Sequence, residues 1–271
     1  MSGRADPKKL ARAIETELER TGSPERAASE KRYLKSDLDF LGATLADIRR
    51  VARQAAKGLD RDGAVGLVED LWSAPSFERR MAAALILELH ADELRSEDLR
   101  LIERLIRESR TWALVDVLSG DVVGEMGLHL RIRRTLDRWA RDDDFWVRRS
   151  SLLAELTPLK HGAPFEPFAR RANAMLEETE FFIRKAIGWV LRETSKTRPD
   201  EVYRWIAPRT HRASGVTMRE AVKYLDATRA ERLIRAYKEG RPAVRPRTTP
   251  PMISVRKEVS SDRTHEATPG S

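Results

Sequence analysis

The chain has 271 residues, with 51 Lys and Arg against 43 Asp and Glu, a formal charge of +8 and no cysteine. That length allows one large domain or two small ones around a sizeable core, and the missing cysteine excludes disulfides, thiolate catalysis and zinc–thiolate sites. The five histidines (His90, His129, His161, His211 and His265) show no ligand spacing and no glycine-rich phosphate loop is present, so neither a metal nor a nucleotide cofactor is expected.

The N-terminus from Met1 to Leu10 is polar and charged. No run further on approaches the roughly 18 to 20 apolar residues of a membrane span. A cytoplasmic protein without membrane contact is expected. From Pro7 to Tyr237 nearly every segment reads as amphipathic helix, because apolar residues recur at the helical period and alternating β-branched runs are scarce. Ser23-Pro24 places a capping serine before a proline at the first helical position. Thr44-Leu-Ala-Asp47, Thr197-Arg-Pro-Asp200 and Thr217-Met-Arg-Glu220 fit the threonine-x-x-acid start signal. From Gly240 the texture changes. Residues 241–271 hold five prolines, six basic and three acidic groups and no apolar period, so a single helical domain over 1–240 and a disordered basic tail are expected. Subtracting the tail leaves +5 on the body, a modest excess whose placement matters more than its sum.

A faint repeat underlies the helices. Segments beginning at Phe77, Phe145, Phe182 and Thr217 each open a helix with a basic residue followed by a small and apolar run. Aligning Arg79, Arg148, Arg184 and Arg219 gives separations of 69, 36 and 35 residues. The first gap holds two periods, which places a divergent unit near Trp112. A period of about 35 residues with two helices per unit belongs to the α-solenoids, which have one continuous core and an extended concave face. Stacked helix starts would align Arg79, Arg80, Arg148, Arg149, Arg184, Lys185 and Arg219 as a track for phosphates. Solvated helix-start charges are the plainer account of any single one of them.

Two helices carry chemistry. In Trp112-Ala-Leu-Val-Asp116 one carboxylate interrupts an apolar run, with Trp112 four residues away on the same helical face. A carboxylate in such a setting needs a partner or a function, and a structural pair with an arginine and a catalytic role both fit. In the second helix Gly188 precedes Trp189. A mid-helix glycine costs roughly 1 kcal/mol against alanine and marks the close approach of another backbone or a ligand. Trp189 fits either the core or a site.

Four blocks then show a resemblance: Arg32-Tyr-Leu-Lys-Ser-Asp-Leu-Asp-Phe-Leu-Gly42, Trp112 to Asp116, Phe145-Trp-Val-Arg-Arg-Ser-Ser-Leu-Leu153, and Phe181-Phe-Ile-Arg-Lys-Ala-Ile-Gly-Trp-Val-Leu-Arg-Glu193. In this order, over residues 8 to 235, the chain resembles the AlkD family of DNA alkylation repair glycosylases. The resemblance implies an all-α solenoid of HEAT-like repeats that cups duplex DNA and excises cationic N3- and N7-alkylpurines such as 3-methyladenine and 7-methylguanine. It implies Asp116 as the catalytic carboxylate, Trp112, Trp189 and Tyr33 beside the lesion, and Arg149 on the DNA backbone. Arg192, the penultimate residue of the last block, joins Arg148, Arg184 and Lys185 as expected DNA contacts. Nothing in the sequence suggests an obligate oligomer, so a monomer that works without a cofactor and associates with the nucleoid when on DNA is expected. Thr111 stands where the family often has an aromatic, and the stretch from Gly120 to Gly127 has no clear counterpart.

The residue types suit that reaction. A cationic purine is already a good leaving group, and a carboxylate beside the sugar stabilises the oxocarbenium character that develops as the bond breaks. Indole faces attract cations by about 0.5 to 2 kcal/mol. Two other readings use the same scaffold. A noncatalytic DNA-structure binder would drop the tryptophan–aspartate set, and a protein-binding solenoid would show an exposed apolar groove.

Overall fold

The computed structural model describes residues 6–243. Among these the chain is helical, with no strand and one isolated bridge between Asp39 and Ser76. Helices α1 (Pro7–Thr21), α2 (Pro24–Leu34), α3 (Leu45–Ala56), α4 (Arg61–Trp72), α5 (Phe77–Leu89) and α6 (Leu99–Glu108) form the first part. Next, α7 (Trp112–Asp116) passes through a π turn at Val117–Val123 into α8 (Gly124–His129). The remainder is α9 (Arg133–Trp139), α10 (Phe145–Leu153), α11 (Leu156–Lys160), α12 (Glu166–Ala174), α13 (Phe181–Ser195), α14 (Pro199–Ile206), α15 (Gly215–Ala221) and α16 (Ala227–Lys238).

Many of the helix starts follow polar side chains that accept from otherwise unbonded backbone N–H groups. Ser23 caps α2 and Thr44 caps α3, both as their sequence signals predict. The other two signals fall elsewhere. α14 begins at Pro199 after Arg198, with no side-chain cap from Thr197. α15 is capped by Ser214, and Thr217 sits inside its first turn, buried, donating to the carbonyl of Arg184 at 3.0 Å.

The 35-residue period appears in the hydrogen bonds that join successive units. Trp72 Nε1 donates to Glu108 at 3.0 Å and Trp139 Nε1 to Glu103 at 2.8 Å, each pair 36 residues apart. Arg104 reaches Glu69, Arg107 reaches Asp142 and Arg138 reaches Glu103, all at a separation of 35. Arg212 reaches Glu177 at the same separation. Each unit is therefore one period long and pairs its polar side chains with the equivalent positions of its neighbour. One row of helices, α5, the π turn, α10, α13 and α15, packs in sequence order. α4, α9, α14 and α16 lie beside members of that row as their partners, giving the α-solenoid.

The core is two clusters rather than one. The first runs from Ala11 to Ala154 and the second from Leu152 to Leu233, and they meet on α10. Polar residues lie at the junction. Ser119 donates to Ser150 at 2.7 Å, and both are fully buried with Ser151. The π turn departs from the α period, and a Cβ on Gly120, Gly124 or Gly127, in and after it, would lie about 3 to 4 Å from Leu156, Thr157 or Pro158 of α11. A one-residue change of helical register is a physical reason why this stretch reads poorly as a repeat.

No helix among the described residues is long and apolar enough to cross a membrane. The expected tail lies outside the described residues except for 241–243. Those three remain fastened to the body, with Arg241 N donating to the Ala236 carbonyl and Ala243 N to that of Ala207.

Candidate functional site

The site grows from the start of α7. Thr111 is buried and caps this short helix, accepting from Ala113 N. The cap orients the following turn so that Trp112 and Asp116 point to one side, toward α10 and α13. Arg149, the fifth residue of α10, meets Asp116 there. Its Nε and terminal nitrogen donate to the two carboxylate oxygens at 2.8 and 3.0 Å. The arginine side chain is 3% exposed and the aspartate 14%. Arg149 also donates to the Phe182 carbonyl at 2.5 Å and lies over the Phe182 ring at 5.7 Å. All three guanidinium nitrogens thus donate to α7 or α13. Burial raises the pKa of the Asp116 carboxyl, and the adjacent guanidinium opposes that rise.

Around this pair lies a cleft of about 670 Å³ lined by Tyr33, Trp112, Asp116, Trp146, Arg149 and Trp189, with Lys185, Arg192 and the Phe181–Phe182 pair on its α13 side. That volume lies within the usual range of small-molecule clefts. Tyr33, 72% exposed at the end of α2, meets Trp112 edge-on at 5.9 Å. Trp146 packs against Phe145 at 4.4 Å and Phe182 at 4.7 Å. The structure therefore brings Tyr33, Trp112, Asp116, Arg149 and Trp189 to one place, from helices that lie far apart in sequence. Cavities of about 740 and 700 Å³ occur on α9 and its surroundings, and none of the predicted site residues lines them.

The arginines expected to align as a track are engaged in other work. Arg79 bonds the carbonyls of Asp70 and Leu71 in the last turn of α4 and pairs with Glu15. Arg80 is buried, bonds the carbonyls of Ala74 and Glu108 and lies over Trp72. Arg148 bonds the carbonyls of Asp142 and Asp143 and pairs with Glu178. Arg184 bonds the carbonyl of Glu178. The recurring basic residue thus ties down the chain leaving the preceding helix, where carbonyls lack helical partners. That accounts for its recurrence without phosphate. Arg219 is exposed on α15. Of the expected DNA contacts, only Arg149, Lys185 and Arg192 line the cleft.

Several cleft residues, Trp146 and Phe182 among them, escaped the sequence reading, and two have unusual backbones. Lys35 and Arg110 are the non-glycine residues with positive φ among those described, at 50° and 55°, and both line the cleft. A left-handed residue costs roughly 1 to 2 kcal/mol, and such strain gathers at functional sites. Arg110 pairs with Asp37 at 2.8 Å. The nearest signal was position: each directly follows a helical pattern, or precedes a cap.

Gly188 explains how α13 and α15 meet. A Cβ there would lie 2.8 Å from the Glu220 Cβ and 3.1 Å from the Thr217 Cα. The glycine lets α15 approach, and Glu220 then reaches past it to bond both Lys185 and Arg192.

Among the described residues no group of three His, Cys, Asp or Glu is arranged to hold a metal ion. No curated protein matches the chain. A solved structure described as a predicted DNA alkylation repair enzyme from Enterococcus faecalis is similar in fold, with a TM-score of 0.69 and 24% identity over 76% of this chain and 98% of that one. The model of the DNA alkylation repair enzyme family matches residues 14–225, nearly the whole described solenoid, and the chain belongs to that family.

Proposed function

We propose that the protein is a monofunctional DNA N-glycosylase that hydrolyses the glycosidic bond of cationic N3- and N7-alkylated purines in duplex DNA. The observation that carries this reading is the gathering of Tyr33, Trp112, Asp116 and Trp189 around one cleft with Arg149 beneath them. A carboxylate offers about four lone-pair sites. Arg149 takes two of those of Asp116, which leaves two for a water that attacks the sugar. The negative charge also lies where oxocarbenium character develops. Trp112 and Trp189 present indole faces to a cationic nucleotide, and Lys185 and Arg192 stand on the same wall for its phosphates.

One observation favours a second reading, a noncatalytic DNA-structure binder. Both oxygens of Asp116 are already engaged by a buried arginine, as a purely structural ion pair would require. The two readings separate in a single-turnover assay of 7-methylguanine and 3-methyladenine release from methylated duplex DNA. Release by the wild type that disappears in a folded Asp116→Asn supports the glycosylase. A folded, DNA-binding wild type that releases no base supports the binder.

A further inference from the structure

The wall of the cleft formed by α13 is built around three side chains on one helical face, Lys185, Trp189 and Arg192, spaced four and three residues apart. Both cations share one acceptor. Lys185 Nζ pairs with one oxygen of Glu220, and Arg192 donates to the other at 2.5 Å. Glu220 belongs to α15, one repeat unit further on, and reaches them only because Gly188 has no side chain. The carboxylate is 15% exposed, while Lys185 remains 38% exposed and Arg192 21%. The acid is thus the most sheltered of the three, and Lys185 the most open. Burial alone would raise the Glu220 pKa, but the hydrogen bonds and charges of Lys185 and Arg192 hold it below the ordinary value. It is therefore ionised at neutral pH. Arg192 has a second acid, Glu193, at 3.1 Å, whereas Glu220 is the acid that holds Lys185.

We propose that Glu220 is an internal competitor for DNA phosphate, a carboxylate that occupies Lys185 and Arg192 so that undamaged duplex gains these cations only by displacing it. The inference rests on the reading of this cleft as the DNA site. Its physical basis is that nonspecific binding to DNA comes essentially from phosphate neutralisation and counterion release, while a lesion complex also draws on aromatic and carboxylate contacts. An acid that satisfies two cleft cations in advance lowers the first without touching Trp112, Trp189 or Asp116. Because undamaged sites vastly outnumber lesions, such an acid keeps the protein from being held on them.

The test is the salt dependence of binding to an undamaged duplex, measured for the wild type, Glu220→Gln, and Glu220→Gln with Lys185→Ala. Glutamine keeps the stem that packs beside Gly188 and removes the charge. The expected result is affinity about fivefold tighter for Glu220→Gln, with the slope of log K against log salt steeper by about 0.9, one added phosphate. The double variant should return to the wild-type slope. A brace that merely holds α13 to α15 predicts the opposite sign, weaker binding and a lower melting temperature. Salt-sensitive binding by the wild type with no steepening in Glu220→Gln overturns the competitor and leaves the glycosylase reading standing. A wild type without salt-sensitive DNA binding overturns both. A steeper slope in a protein that releases no base supports the competitor and overturns only the glycosylase.

Discussion

Asp116 and Arg149 join two repeat units, 33 residues apart, through a bidentate contact in which both carboxylate oxygens are used. Arg149, which the family resemblance places on the DNA backbone, is buried beneath the Asp116 carboxylate. Removing one member of such a pair leaves the other charge uncompensated, which costs about 3 to 5 kcal/mol. Arg149→Ala should therefore lower stability by that amount in denaturant titrations. Any loss of DNA affinity should track the loss of fold. Asp116→Asn keeps the shape and one acceptor, so it should melt closer to the wild type while base release falls by about 10²- to 10³-fold.

Gly188→Ala should destabilise the protein by about 1 to 3 kcal/mol, because the new methyl group meets the Glu220 stem and the Thr217 backbone of α15. The check is chemical denaturation, with Ala186→Gly in the same helix as a comparison. Equal stability of Gly188→Ala and wild type would mean that α15 retreats without cost.

Thr111→Ala should cost about 1 kcal/mol, the usual value of a lost N-cap, because Thr111 is 2% exposed and accepts from Ala113 N at the start of α7. Thermal melting reads the cost. Base release should fall alongside it, since the capped turn aims Trp112 and Asp116.

Asp121, in the π turn, gives a pH signature. It shares a shallow cavity with Glu88, Asp92 and Glu125, and partial burial followed by the nearby charge of Glu88 raises its pKa to about 6. The folded state therefore holds this proton more tightly than the unfolded chain, whose aspartates titrate near 3.9. The sign is destabilising with rising pH: stability falls as pH climbs from about 4 through 6. Asp121→Asn should raise the melting temperature at pH 7.5, and raise it less at pH 5. An equal shift at both values would show that Asp121 titrates normally.

What could be read without coordinates depended on whether a feature was periodic or relational. The 35-residue unit was legible because each unit must present the same small and apolar positions to its neighbours, as Ala82 to Leu85 and Ala186 to Leu191 do. Asp116 stood out because it interrupts an apolar run, and Gly188 because it interrupts a helix; Trp112 and Trp189 came into view as their neighbours. Partners were not legible. Arg79, Arg148 and Arg184 recur with the right spacing for a stripe, yet carbonyl groups six to nine residues back along the chain are what they bind. Ser214 was overlooked as a cap because Thr217 offered the same signal three residues later. The π turn left no mark beyond its glycines, since its residue types suit an α-helix equally well.

The pairing of side chains one period apart constrains how such a chain can change length. Glu103 serves Trp139 and Arg138 in the following unit, and Glu108 serves Trp72 in the preceding one. An insertion of a few residues inside a helix would slide every such pair out of reach on both sides. Gain or loss of a whole unit would keep the ladder in step. Evolutionary drift in this architecture is therefore quantised: loops absorb single residues, and the body grows or shrinks by about 35 at a time.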